Sequence, residues 1–84
     1  MSNIVVELFG KPGCHLCDDA RAVITSVVQD FPGAELRERS ILDDPELFES
    51  MKNDIPVVSV NGTPVARWRI DSTDLRRELE GALS

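Results

Sequence analysis

The chain has 84 residues, 42% of them hydrophobic and 29% charged, a balance that excludes disorder and suits one small globular domain over residues 1–84. Fifteen acidic against nine basic residues give a net charge of −6, and the basic ones are scattered rather than gathered into a stripe, which argues against a nucleic-acid partner. No apolar run approaches the ~20 residues that a membrane span requires.

Met1-Ser2-Asn3 leads directly into Ile4-Val5-Val6-Glu7-Leu8-Phe9 without the charged and apolar regions of a signal peptide, so a cytoplasmic protein is expected. The Ile4–Phe9 run is β-branched and nearly continuously apolar, the pattern of a central strand covered on both faces, and Gly10-Lys11-Pro12-Gly13 is expected to end it. Leu16, Ala20, Val23, Ile24, Val27, Val28 and Phe31 then recur at the spacing of one helix face, and Pro32-Gly33 stops the helix. The stretch Ala34 to Leu42 carries four charges and reads as a strand at a sheet edge, where charge discourages pairing with another molecule.

Asp44 before Pro45 marks a helix start, with Leu47, Phe48 and Met51 as its core-facing residues and an end near Asn53. Ile55–Val60 and Thr63–Trp68 flank Asn61-Gly62, a strong hairpin signal, and Pro64 puts the latter strand at the other sheet edge. Trp68 reads as an amphipathic edge residue. Asp71 is expected to cap a closing helix whose apolar face is Leu75, Leu79, Ala82 and Leu83. The order β-α-β-α-β-β-α calls for a βαβ unit followed by a hairpin, hence an α/β or α+β fold with a mixed four-stranded sheet and three helices.

The two cysteines sit where the first strand hands over to the first helix, in Cys14-His15-Leu16-Cys17. A structural staple three residues long would add only ~2 kcal/mol, and such a pair is more often redox-active or metal-binding. Residues three apart on a helix have Cβ atoms about 5–6 Å apart, within reach of reversible bridging. Helical geometry puts Cys17 on the apolar stripe near Ile24 and Cys14 at its rim, on the open first turn. There the free N–H groups and the helix dipole favour a thiolate, so the Cys14 pKa should fall into the range of activated thiols. Lys11 and protonated His15 would strengthen this effect, while Asp18 and Asp19 oppose it. Cys14 is thus the expected nucleophile and Cys17 the resolving thiol.

Lys11-Pro12-Gly13-Cys14-His15-Leu16-Cys17 after an apolar strand, Ile55-Pro56-Val57 opening the hairpin and Asp71 opening the last helix together resemble a glutaredoxin-like protein of the thioredoxin superfamily, closest to short bacterial members with a Cys-His-Leu-Cys site. The resemblance implies a thioredoxin-like α/β fold and a disulfide oxidoreductase in cell redox homeostasis and electron transport. It implies a cis peptide bond before Pro56, a proline facing the cysteine pair, and an Ile55 backbone that binds the substrate's main chain. Lys11, Asp71 and Ser72 are the accompanying glutathione-binding candidates, and His15 a residue that tunes redox poise. Glutathione is then a co-substrate rather than a bound cofactor, and the partners are disulfide-bearing proteins and a glutathione- or thioredoxin-reductase system, with the chain itself a monomer.

Two features depart from typical glutaredoxins: His15-Leu16 between the cysteines, and Ile70-Asp71 where a Gly-Gly pair usually precedes the last helix. Arg67-Trp68-Arg69-Ile70 does not match the signature of donors reduced by thioredoxin reductase either. The alternatives are metal or iron–sulfur carriage, for which two thiolates supply half of a tetrahedral site, and a non-catalytic binding module that uses the Pro56 groove.

Overall fold

The computed structural model describes residues 4–83, with the backbone alone for Leu83; the expectations for Met1-Ser2-Asn3 and for the Leu83 side chain lie outside the described residues. Its elements are β1 (Ile4–Gly10), α1 (His15–Val28), β2 (Ala34–Ser40), a 3-10 turn at Ile41–Asp43, α2 (Pro45–Met51), β3 (Val57–Val60), β4 (Thr63–Arg67) and α3 (Ser72–Leu83). The four strands form one mixed sheet in the order β2-β1-β3-β4. β1 runs parallel to β2 and antiparallel to β3, and β3 antiparallel to β4, so the charged β2 and the Pro64-bearing β4 are the edges, as their sequences indicate.

The alternation of β1 divides the core in two. Ile4, Val6 and Leu8 point to the face covered by α1 and α3, where they pack with Ala20, Ile24, Val27, Val58, Val60, Leu75 and Leu79. Phe9 points the other way, into a smaller cluster with Ile41 and Val57, flanked by Leu47, Met51 and Ile55. β1 is therefore fully covered on one face only. On the other, α2 reaches the Phe9 end, while Val5 and Glu7 stay half-buried.

Four assignments from the apolar pattern are corrected. Leu16 is not on the buried stripe: it is 44% exposed, and Cys17 takes its place with Ala20, Ile24 and Val27 at helical spacing. Phe31 lies beyond the end of α1, where it is half-buried and packs against the larger cluster from the loop. Phe48 is 36% exposed instead of core, because α2 is a seven-residue helix that presents only Leu47 and Met51 to the sheet; the Lys52 ammonium sits 5.7 Å from the Phe48 ring centroid. Ala82 is likewise exposed.

The turns follow the sequence closely. Asp44 caps α2 through Glu46 N–H at 2.8 Å, with Pro45 in the first turn. Asn61 and Gly62 both have positive φ (50° and 87°), as a two-residue hairpin turn matched to strand twist requires. Asn61 also ties the hairpin to the start of β1: its Oδ1 accepts Val5 N–H and its own N–H donates to Val5 O, each at 2.8 Å.

Candidate active site at the start of α1

Phe9 pairs with Val57 in the antiparallel ladder, so the chain leaving β1 and the chain entering β3 run past each other at one end of the sheet. That end receives the cysteine motif from one side and Ile55-Pro56 from the other. The Ile55–Pro56 peptide bond is cis, as the resemblance implied. Pro56 is buried, and its carbonyl accepts the Trp68 N–H at 2.7 Å. Ile55 is half-buried, and its N–H is engaged with Met51 O at 3.2 Å.

Gly13, with φ 80°, turns the chain so that Cys14 enters α1 as its N-cap. The Cys14 carbonyl accepts the first helical bond from Asp18 N–H at 3.1 Å, and its Sγ accepts the Cys17 N–H at 3.2 Å. A cysteine sulfur thus fills the place usually held by a Ser, Thr or Asp oxygen. Cys14 and Cys17 are joined as a disulfide with Cα atoms 5.2 Å apart, and neither is free. Their exposure differs in the sense helical geometry predicts: Cys14 is half-buried and Cys17, lying against Gly10 at the end of β1, is only 2% exposed.

The charges around the pair are arranged by Arg21. It reaches from α1 to Glu38 on β2 and also to Asp18 at 2.8 Å, so the Asp18 carboxylate that would repel a Cys14 thiolate is already paired. The hydrogen bonds that Arg21 donates to Glu38, then to Asp18, raise its pKa above its already high value, so its charge is constant at any working pH. Lys11 is exposed in the loop and lines a cleft of about 220 Å³ together with Gly10, Cys17, Arg21 and Glu38. His15, the first helical residue, points to solvent.

On the other flank of α1, Leu16, Val23, Trp68, Ile70 and Asp71 line a second groove of about 320 Å³, which brings the start of α3 beside the cysteine helix. Asp71 caps α3, its Oδ1 accepting Thr73 N–H at 2.8 Å and Asp74 N–H at 3.3 Å, while Leu75 N–H donates to its carbonyl. Two N–H donors in the first turn of α3 are thus taken by Asp71 itself. Ser72 is exposed beside it. Among the described residues no group of three or more His, Cys, Asp and Glu side chains is gathered as a metal site would need, and no helix is long and apolar enough to cross a membrane.

Two residues at the site do more than their sequence readings, an edge residue and a strand terminator, imply. Trp68 has φ 69° at the centre of a tight turn closed by Arg69 N–H to Arg67 O at 2.8 Å. Its indole Nε1 donates to Asn53 O at 3.0 Å, and the Arg67 guanidinium lies 4.5 Å from its ring centroid. The left-handed position thus falls two residues before Ile70, where the glycine pair was sought. Gly10 is the other: read as a strand terminator, it is the last paired residue of β1, opposite Ser40, and lies against Cys17. A glycine at a strand end beside a functional loop signals close backbone approach, and that signal was available in the sequence.

A family model described as Glutaredoxin-like domain (DUF836) matches residues 5–80. The "Glutaredoxin-like protein YDR286C homolog" of Dictyostelium discoideum is 34% identical over 86 residues, covering 96% of this chain and 80% of the relative. Among solved structures, the Northeast Structural Genomics target protein XcR50 from X. campestris superposes with a TM-score of 0.75 at 25% identity, over 90% of this chain and 96% of that one. Oxidized mitochondrial thioredoxin 3 from Saccharomyces cerevisiae does so with a TM-score of 0.69 at 15% identity, over 96% and 80% of the two chains, a likeness of fold alone. The thioredoxin fold with a bridged Cys14–Cys17 pair at the start of α1 supports a redox role. By the span of the family match and the identity to its curated relative, this chain belongs to the glutaredoxin-like family of the thioredoxin superfamily.

Proposed function

We propose that this protein is a thiol–disulfide oxidoreductase that reduces protein or glutathione mixed disulfides through its Cys14–Cys17 dithiol. The observation that carries the reading is the asymmetry of the pair: Cys14 is the accessible N-cap of α1 with its sulfur on a backbone N–H, while Cys17 is enclosed beneath it. In the reduced state that N–H bond and the helix dipole favour the Cys14 thiolate, which is the attacking species.

The reaction balances as two exchanges. Cys14 thiolate attacks one sulfur of the substrate disulfide, a bond from Cys14 Sγ to that sulfur forms, and the other substrate sulfur leaves as a thiolate. Cys17 then loses its proton to solvent and attacks Cys14 Sγ, closing the Cys14–Cys17 bond and releasing the second substrate sulfur as a thiolate. Two electrons pass to the substrate, and the oxidised pair is reduced again by glutathione or by a thioredoxin-reductase system. Lys11 on one flank of α1 and Asp71 and Ser72 on the other, together with Pro56 and the Ile55 carbonyl, hold the incoming substrate; His15 tunes the Cys14 thiolate. The protein works as a cytoplasmic monomer and an electron carrier.

The testing experiment is reduction of a small glutathione mixed disulfide with glutathione and its reductase supplied, using Cys14→Ser as control. Turnover that disappears in the control supports the reading. Turnover that persists in Cys14→Ser overturns the nucleophile assignment, and absence of turnover in the parent protein directs the same test to thioredoxin reductase.

A further inference from the structure

Gly10 has no left-handed backbone that would demand glycine; among the described residues the glycines with positive φ are Gly13 and Gly62. Its requirement is for space. A Cβ placed on Gly10 would stand 2.7 Å from Cys17 Sγ and 3.1 Å from Cys17 Cβ, the former well inside ordinary van der Waals contact. The neighbouring atom is the end of a side chain, and such an atom normally swings aside at little cost. Here it swings in one redox state only. In the disulfide, Cys17 Sγ is bonded to Cys14 and fixed against β1; in the dithiol it is free to turn about its own Cα–Cβ bond, within the limits of its buried site.

We propose that Gly10 is a positioning residue for the redox couple: by having no side chain it leaves vacant the space in which Cys17 Sγ must lie to bond Cys14, and so it sets the equilibrium between dithiol and disulfide. The role in turnover rests on the oxidoreductase reading above; the contact and its effect on the couple do not. The step concerned is closure, in which Cys17 thiolate attacks Cys14 Sγ, the Cys14–Cys17 bond forms, and the substrate sulfur departs as thiolate with the bonding pair. A methyl group on residue 10 displaces the attacking sulfur and penalises the product more than the dithiol. The Gly10→Ala protein is therefore a better oxidant and a slower one to close its disulfide.

The test equilibrates the full-length Gly10→Ala and parent proteins in glutathione buffers of graded ratio and measures the dithiol fraction by thiol trapping. At matched buffer the ratio of dithiol to disulfide should rise at least tenfold in Gly10→Ala, about 30 mV for this two-electron couple. A second measurement compares the thermal stability of Gly10→Ala, with its disulfide closed, with that of Gly10→Ala in a Cys17→Ala background, where the sulfur is gone and only Cβ remains at 3.1 Å. The methyl should destabilise the disulfide form markedly and the Cys17→Ala form little. If Gly10→Ala alone fails to fold while the double variant folds, the proposal stands. An unchanged ratio, or equal destabilisation in both backgrounds, overturns it. A parent protein that turns over no mixed disulfide and yet shows the shifted ratio in Gly10→Ala defeats the functional reading and leaves this one intact.

Discussion

Asp71 carries two assignments, a helix cap and a substrate contact, and a pair of substitutions separates them. Asp71→Ala removes the carboxylate that accepts Thr73 N–H at 2.8 Å and Asp74 N–H at 3.3 Å. Because the site is exposed, water replaces the lost acceptor, and the cost should be that of an ordinary N-cap, ~1 kcal/mol. In a domain of this size that lowers Tm by roughly 4–8 °C. The helix it caps delivers Leu75 and Leu79 to the core, so the loss is read in global unfolding rather than in local fraying. Asp71→Asn keeps an acceptor of the same reach and loses only the interaction of the negative charge with the helix dipole, ~0.3–1 kcal/mol, which salt screens. Thermal denaturation at low and high salt, together with KM for a glutathione mixed disulfide, makes the comparison. Asp71→Ala should be the less stable of the two variants, and both should raise KM with little change in kcat. A Tm for Asp71→Ala equal to the parent's would refute the cap, and an unchanged KM in both variants would refute the substrate contact.

Three further outcomes are expected. Cys17→Ser should accumulate a mixed disulfide on Cys14, visible by mass spectrometry, because the enclosed thiol that would release the substrate is gone; a freely turning-over Cys17→Ser protein acting on protein disulfides would contradict the resolving role. Leu79→Ala, at a site with 0% exposure, should lose ~2–5 kcal/mol in urea denaturation, a large share of the roughly 4–13 kcal/mol expected for a chain of this length. Asn61→Ala loses the 2.8 Å bond to Val5 N–H and places an alanine at φ 50°, so it should cost about 1–2 kcal/mol and loosen the attachment of the hairpin to β1, measured by hydrogen exchange at Val5.

What the sequence by itself determined are features whose cause is local. The β-branched run of β1, the Asp44-Pro45 and Asp71 caps, and Asn61-Gly62 each act within a few residues, so strand and helix types, their order and the hairpin turn follow from them. The cysteine asymmetry was legible for the same reason: three residues on a helix fix which sulfur faces the stripe. Element boundaries and individual burial were less so. Leu16 and Phe48 are apolar residues beside a core-facing stripe, and only the packing of α1 and α2 on the sheet decides that they are left exposed while Cys17 is buried and Leu47 half-buried.

What only the tertiary structure decided are contacts between segments far apart in the chain. The Phe9–Val57 register brings the cis-proline turn to the same end of the sheet as the cysteine loop, Arg21 finds Glu38 across the βαβ crossover, and Trp68 enters a left-handed turn because the Pro56 carbonyl and the Asn53 carbonyl hold it there. Gly10 shows the division most clearly. Its residue type was in the sequence, as a break in an apolar run, but the reason for it is a sulfur brought against the strand by a helix that starts after it, and a distance of that kind exists only once the chain has folded.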